Sequence, residues 1–420
     1  MKKLNILEDS VKISLKDFEN LQMVLNKSQL SIFNSEVIES FQENFFKFLC
    51  NNRLEGGIVA LPNCTSAIFI ALQMLDLKPE DEIIVPNLTH SSSIYPILYM
   101  YKCKIKVCDF SEKSYEMNIN HLKSLISQKT KAIIVCYLHG YPTNIKEILK
   151  ICEDKNIKLI EDAAQGLGVK IQGKKVGTWG HYSCFSFGEN KLLRMGEGGA
   201  LKYNNGEEKE RINRLRHVGE VWKESGRSTI SNDITYKSLI EIGIDYKGMG
   251  FNYRVNPINI ALGLEKLENL DKIISVRQKK LEIYKKNLSN IEGIKLINNE
   301  IDNTAPISAW YVIDSKIFDI KKIILKCLEY GIPVGRFKYN QIIKIEAFEK
   351  YILNLKDDFK NSCKLQQNSL FFPLYENISI EEIQIISIYL HNIFLNYNNL
   401  TINEDILDEK VKYFDGFFIK

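Results

Sequence analysis

Between Glu161 and Gly199 the sequence brings together side chains that can do chemistry as a set. Asp162 and Gln165 stand in Glu-Asp-Ala-Ala-Gln (161–165), Ser186 and Lys191 in Phe-Ser-Phe-Gly-Glu-Asn-Lys (185–191), and Gly-Glu-Gly-Gly (196–199) follows. The apolar run ending at Ile160 predicts a buried strand, which puts Asp162 at its carboxyl end, where open α/β sheets place ligands. A second short strand delivers Ser186 and Lys191 to a glycine-rich turn that is no helix interior. Asp, Gln, Ser and Lys then converge on one rim.

Such a rim suits pyridoxal phosphate. That cofactor needs a lysine amine to hold it covalently, an acid opposite its ring nitrogen and a cup of donors for its phosphate. Lys191 fits the anchor and the base that moves a proton, Asp162 the acid, and Ser186 a phosphate donor. A carboxylate about 4 Å from a pyridinium contributes roughly 4 kcal/mol at an effective dielectric near 20, which keeps the ring an electron sink.

The elements that must position these groups are legible on either side. Gly56–Pro62 predicts a strand, and Asn63-Cys-Thr-Ser66 opens an amphipathic helix whose first-turn N–H groups suit a phosphate. Thr65 and Ser66 are the donors expected there, although any helix cap would use the same residue types. Asp81–Pro86 predicts a second strand ending in Asn87-Leu-Thr-His90, and further strands are expected at 104–108, 131–136 and 156–160, with helices at 119–127 and 144–154 between them. Strands alternating with helices predict a mostly parallel sheet. Helices are also expected at 16–26, 35–50 and 207–217, an irregular excursion at 220–249, and one long helix from Pro257 to about Leu288. A smaller α+β layer with helices at 319–330 and 380–396 follows, and the tail after Asn398 has no evident partner. His139, and the pair His181 and Cys184, read as structural.

Several of these stretches resemble one family. Asn63-Cys-Thr-Ser-Ala67, Val85-Pro-Asn-Leu-Thr-His90, Glu161–Gln165, Phe185–Lys191, Gly196–Gly199 and Asn252-Tyr-Arg254 are similar to segments of the DegT/DnrJ/EryC1/StrS aminotransferases, in the family's order over roughly residues 30 to 390. The resemblance implies a fold-type I pyridoxal phosphate transferase of the α/β class. A large domain over 1–270 with a mostly parallel sheet of the seven-stranded type is expected, with residues 1–30 packing on its body, and a smaller α+β domain over 271–420. The resemblance implies that Gln165 reaches the cofactor's 3-hydroxyl and that His90 stands where the family has an aromatic ring stacked on the cofactor. It also implies that Asn252 contacts the phosphate held in the neighbouring subunit, so that a homodimer shares its sites. The implied reaction moves an amino group from an amino acid, glutamate or glutamine, to a keto sugar, foremost a nucleotide-linked one, in amino-sugar, surface-glycan or secondary-metabolite biosynthesis. A keto cyclitol is the alternative acceptor, and a binding or regulatory protein of the same fold the alternative without transfer. A dehydratase branch carries His in place of the anchoring lysine, and Lys191 argues against it.

Composition narrows the remaining classes. A chain of 420 residues exceeds what one core usually holds, and 45% hydrophobic with 26% charged residues describes a globular protein. A net charge of +4 gives no reason for a nucleic-acid surface. The nine cysteines are scattered singly without a Cys-x-x-Cys pair, which argues for reduced thiols in the cytoplasm and against zinc. No uninterrupted apolar stretch suggests a leader or a membrane span. No Gly-x-Gly-x-x-Gly turn opens a βαβ unit, which argues against a nicotinamide enzyme.

Overall fold

The computed structural model describes residues 3–4, 13–27, 30–31, 35–50, 55–101, 103–112, 114–222, 244–246, 248–401 and 418–419. Seven strands form the larger sheet in the spatial order Gly57–Leu61, Gly199–Tyr203, Tyr182–Ser186, Lys158–Asp162, Thr130–Cys136, Glu82–Pro86, Lys104–Cys108. Only Gly199–Tyr203 runs antiparallel to its neighbours; the remaining ladders are parallel. Their Val- and Ile-rich interiors are buried because helices cover both faces. Lys158–Asp162 lies in the middle of this sheet, so its carboxyl end opens at the centre of the rim.

Helix Cys64–Gln73 packs on the strands Tyr182–Ser186 and Gly199–Tyr203. Its entry needs a glycine: a Cβ at Gly199 would lie 2.3 Å from the Asn63 carbonyl carbon and 2.7 Å from the Cys64 nitrogen. Glu161, beside Asp162 and fully buried, accepts bonds from Tyr137 Oη, Ser183 Oγ and the N–H groups of Gly177, Trp179 and Gly180 at 2.6–2.9 Å. That carboxylate ties three neighbouring segments beneath the rim.

A second sheet has the order Ile294–Leu296, Ser308–Ile313, Ser369–Pro373, Val334–Gly335, Phe418–Ile419. Helices Ile320–Glu329 and Ile380–Leu395 pack with it in one core that also takes in Leu281, Tyr284 and Leu288 of helix Leu270–Leu288. The same helix sets Leu270 and Ile274 into the core of the larger unit. The helix thus contributes residues to both cores.

The continuous helix expected from Pro257 to Leu288 is divided. Pro257–Glu268 ends at Asn269, whose φ of −93° and ψ of 4° leave the helical range before Leu270–Leu288 begins, and whose Nδ2 bonds the Glu265 carbonyl. Apolar periodicity runs through both halves, whereas a single Asn competing for the backbone makes the break. Helix Leu15–Asn26 carries a Ser14–Asp17 capping box and lies on Pro257–Glu268, where Asp17 pairs with Lys266 at 3.1 Å. Leu4 instead bonds the Tyr330 carbonyl in the second unit. The excursion expected at 220–249 contains an antiparallel pairing of Glu220–Trp222 with Ile244–Tyr246, and 223–243 lie outside the described residues. Of the tail after Asn398, Phe418–Ile419 does find a partner at the sheet edge, while 402–417 lie outside the described residues. No helix among the described residues is long and apolar enough to cross a membrane.

Candidate active site

At the carboxyl ends of the central strands lies a cavity of about 360 Å³. Asp162, Lys191, Gln165, Ser186, Thr65 and His90 all line it. The sheet register explains the first of these: Asp162 is paired with Cys136 on one side and Cys184 on the other, so three strand ends arrive level. Asp162 is 7% exposed. Its Oδ2 accepts the Ser93 hydroxyl at 2.5 Å, and its Oδ1 accepts the Ala164 N–H at 3.1 Å. The thiols of Cys64 and Cys136 approach the two oxygens at 3.8 Å each. Burial and the Asp162 charge raise both thiols well above the ordinary cysteine value, so they stay protonated donors.

Lys191 sits in a turn closed by its own N–H to the Gly188 carbonyl at 3.1 Å. Burial lowers its pKa below the ordinary lysine value, with Asp162 and Cys64 acting in the opposite direction. Burial thus favours the neutral amine, the form that attacks a carbonyl. Gly196 holds φ at +76°, a conformation that lets the chain turn back into Gly199–Tyr203.

At the helix entry, Asn63 Oδ1 accepts both the Ser66 N–H and the Ser66 hydroxyl at 2.9 Å. Ser66 is 4% exposed and is held by the Asn63 cap, whereas Thr65 lines the cavity together with Ser186. Gln165 is already engaged: its Oε1 accepts the His139 N–H at 2.7 Å and its Nε2 donates to Tyr339 Oη at 3.1 Å. His90 caps the short turn Ser91–Ser93, accepting the Ser92 N–H at Nδ1. Its ring meets Tyr339 edge-on, with centroids 5.1 Å apart. Burial, then the Lys191 charge, lower its pKa, which keeps the imidazole neutral. Asn252 lies away from this cavity on an exposed stretch, where Arg254 Nε donates to its Oδ1 at 2.6 Å.

Four further contributors, Ser93, Thr89, Tyr339 and Lys338, are not singled out by local spacing. Ser93 grips Asp162, and only the Ser91-Ser-Ser run hinted at a polar turn. Thr89 links Ser93 at 3.1 Å to the Cys136 thiol at 3.0 Å. Tyr339 and Lys338 enter from the smaller unit on a loop whose Gln341 bonds Asn87 at 3.2 Å and whose Ile342 N–H bonds the Asn87 carbonyl at 2.9 Å. The fully buried Asn87 thus ties the second unit to the strand that leads to His90.

The residues fit pyridoxal phosphate. A buried amine, a fixed carboxylate at a strand end, and two hydroxyls beside a helix N-terminus share a cavity of the size that small ligands take.

Comparison with known proteins gives a concordant picture. A model described as the DegT/DnrJ/EryC1/StrS aminotransferase family matches residues 12–390. The GDP-perosamine synthase of Escherichia coli O157:H7 is 31% identical over 258 residues, which cover 61% of this chain and 65%, just under two thirds, of that protein. The uncharacterised protein MJ1066 of Methanocaldococcus jannaschii is 30% identical over 332 residues, covering 77% of this chain and 82% of its own. The solved Escherichia coli GDP-4-keto-6-deoxy-D-mannose-3-dehydratase with bound hydrated PLP superposes with a TM-score of 0.79 at 23% identity, over 92% of this chain and 100% of that one. At that identity the superposition speaks for the fold.

Proposed function

This chain belongs to the DegT/DnrJ/EryC1/StrS aminotransferase family, and from that premise we propose that it moves an amino group from an amino acid to a nucleotide-linked keto sugar. The observation that carries the reading is the shared cavity of Lys191 and Asp162, with Thr65 and Ser186 beside them. Glutamate or glutamine is the donor the family implies, and a GDP-sugar enzyme among the relatives supports a nucleotide on the acceptor.

Bound pyridoxal phosphate supplies a protonated ring that takes up the electron pair released when a proton leaves the carbon bearing the amino group. The chain's residues do the rest. Lys191 would hold the cofactor through its amine and would move the proton, as base and then acid. Asp162, fixed by Ser93 and the Ala164 N–H, would keep the ring nitrogen protonated. Thr65, Ser186 and the first turn of Cys64–Gln73 receive the phosphate. Gln165 and Tyr339, bonded to each other at 3.1 Å, line the cavity. We also propose that the working form is a cytoplasmic homodimer, in which Asn252 of each subunit completes the other's phosphate site.

The test loads the protein with pyridoxamine phosphate and presents a panel of nucleotide-linked keto sugars beside inososes. Conversion of a nucleotide-linked keto sugar to its amine is expected. Turnover of inososes alone would replace the acceptor class, and no turnover of any keto compound by the loaded protein would contradict transfer.

A further inference from the structure

The turn that carries Lys191 is held from a direction that the reaction does not require. Arg194, three residues on, folds back so that its Nε donates to the Lys191 carbonyl at 2.9 Å. The other end of its guanidinium lies 3.7 Å from Glu376 Oε2. Glu376 belongs to the segment after strand Ser369–Pro373 in the smaller unit, and its Oε1 receives Arg277 Nε at 2.6 Å. Arg277 is 1% exposed and also bonds the carbonyls of Pro306 and Ile307 at 3.3 and 3.0 Å. Although burial alone would raise it, the Glu376 carboxyl is brought down to about 2 by Arg277 and then Arg194, so the link stays charged across the working range of pH.

Resting on the reading of Lys191 above, we propose that Arg194 is a positioning residue. It clamps the backbone of Lys191 to the Glu376–Arg277 anchor of the smaller unit, so that the placement of that unit fixes where the lysine amine stands. A planar guanidinium can do both jobs at once, with one edge on a carbonyl and the other toward a carboxylate; a lysine ammonium on the same stem is a single point. The charged and titratable groups that act on the Lys191 amine are Asp162 and Cys64, and it acts in turn on His90 and His139. Arg194 therefore works through the backbone and not as a neighbouring charge.

The experiment follows Lys191 itself in cofactor-free protein. A small acylating reagent is applied across a pH series, and modification is read at the Lys191 peptide by mass spectrometry beside Tm. In Arg194→Met the midpoint of the Lys191 rate should move up toward that of an ordinary lysine, since a released turn lets water reach the amine. Arg194→Lys should recover most of the Tm but keep the shifted midpoint, and Glu376→Gln should move it in the same direction by less. In the loaded enzyme, kcat of Arg194→Lys should fall about 10- to 100-fold with KM little changed, the scale of a misplaced reacting group. A wild-type midpoint in Arg194→Lys would overturn the positioning role, leaving an ion pair that only staples the two units; that variant carries the test if Arg194→Met does not fold. Failure of the wild-type protein to take pyridoxal phosphate at Lys191 would instead contradict the cofactor assignment.

Discussion

Ser93 donates its hydroxyl to Asp162 Oδ2 at 2.5 Å across a separation of 69 residues, and through Thr89 it is also coupled to Cys136. A buried carboxylate with a fixed donor is restrained in orientation. Ser93→Ala removes one bond to a charged group, worth about 1.5–3 kcal/mol to the position of that carboxylate. The variant should still bind pyridoxal phosphate, with its donor half-reaction slowed about tenfold, the lower end of that range. Stopped-flow absorbance measures it, and wild-type rates would show that Asp162 needs no such support.

Asp162→Asn keeps the shape of the side chain and removes its charge. The half-reaction should slow on the order of 10²-fold or more, because a carboxylate near the ring nitrogen supplies about 3–4 kcal/mol to the charge-separated state. Single-turnover kinetics at saturating donor check this. Near-normal rates would remove Asp162 from the site.

His139 predicts an acid-sensitive fold. The ring stacks on Phe371 with centroids 3.9 Å apart and bonds Ser308 Oγ at 3.0 Å, and burial followed by the Lys191 charge takes its pKa from 6.5 to about 3. The folded chain then binds fewer protons than the unfolded chain between those values. The stabilisation is complete above pH 6.5 and is lost as pH falls toward 3. His139→Phe should lose about 1 kcal/mol at neutral pH with the Ser308 bond, yet its stability should fall less steeply toward acid. Urea midpoints through the acid range test this, and parallel pH slopes for the two proteins would contradict it.

Much of this was legible because it is local. Strand ends follow from runs of buried apolar residues, and the string 161–165 fixes Asp162 at such an end whatever the rest of the chain does. Ser186 and Lys191 follow from glycine-rich turn chemistry in the same way, whereas Thr65 reads as an ordinary helix cap until the family resemblance is added. What escaped is pairing at long range: Ser93 with Asp162, Tyr339 with Gln165, and Arg194 with Glu376 arise from how strands and units are ordered in space, which no window of spacing reports. Ser66 shows the converse. Its type suited a phosphate, but Asn63 Oδ1 takes both its N–H and its hydroxyl. The break at Asn269 was missed because the apolar period runs through it.

A shared site makes a prediction for mixed proteins. Asn252 does not line the cavity of its own chain, and under the proposed shared site it would serve a neighbouring one. Lys191→Ala and Asn252→Ala chains, each inactive or weakened alone, should regain activity after co-refolding, since one site of each mixed dimer then has both residues. Activity of verified mixed dimers checks this. No recovery there, or full activity in a monodisperse monomer, would contradict the shared site.

The central claim is that Lys191 holds the cofactor. Protein loaded with pyridoxal phosphate, reduced with borohydride, digested and sequenced by mass spectrometry reports this at single-residue resolution. The account predicts one dominant modified peptide with the mass of the reduced cofactor on Lys191, absent from Lys191→Ala. Modification centred on another lysine of the same cavity, such as Lys338, or spread over surface lysines with Lys191 unmodified, would contradict it.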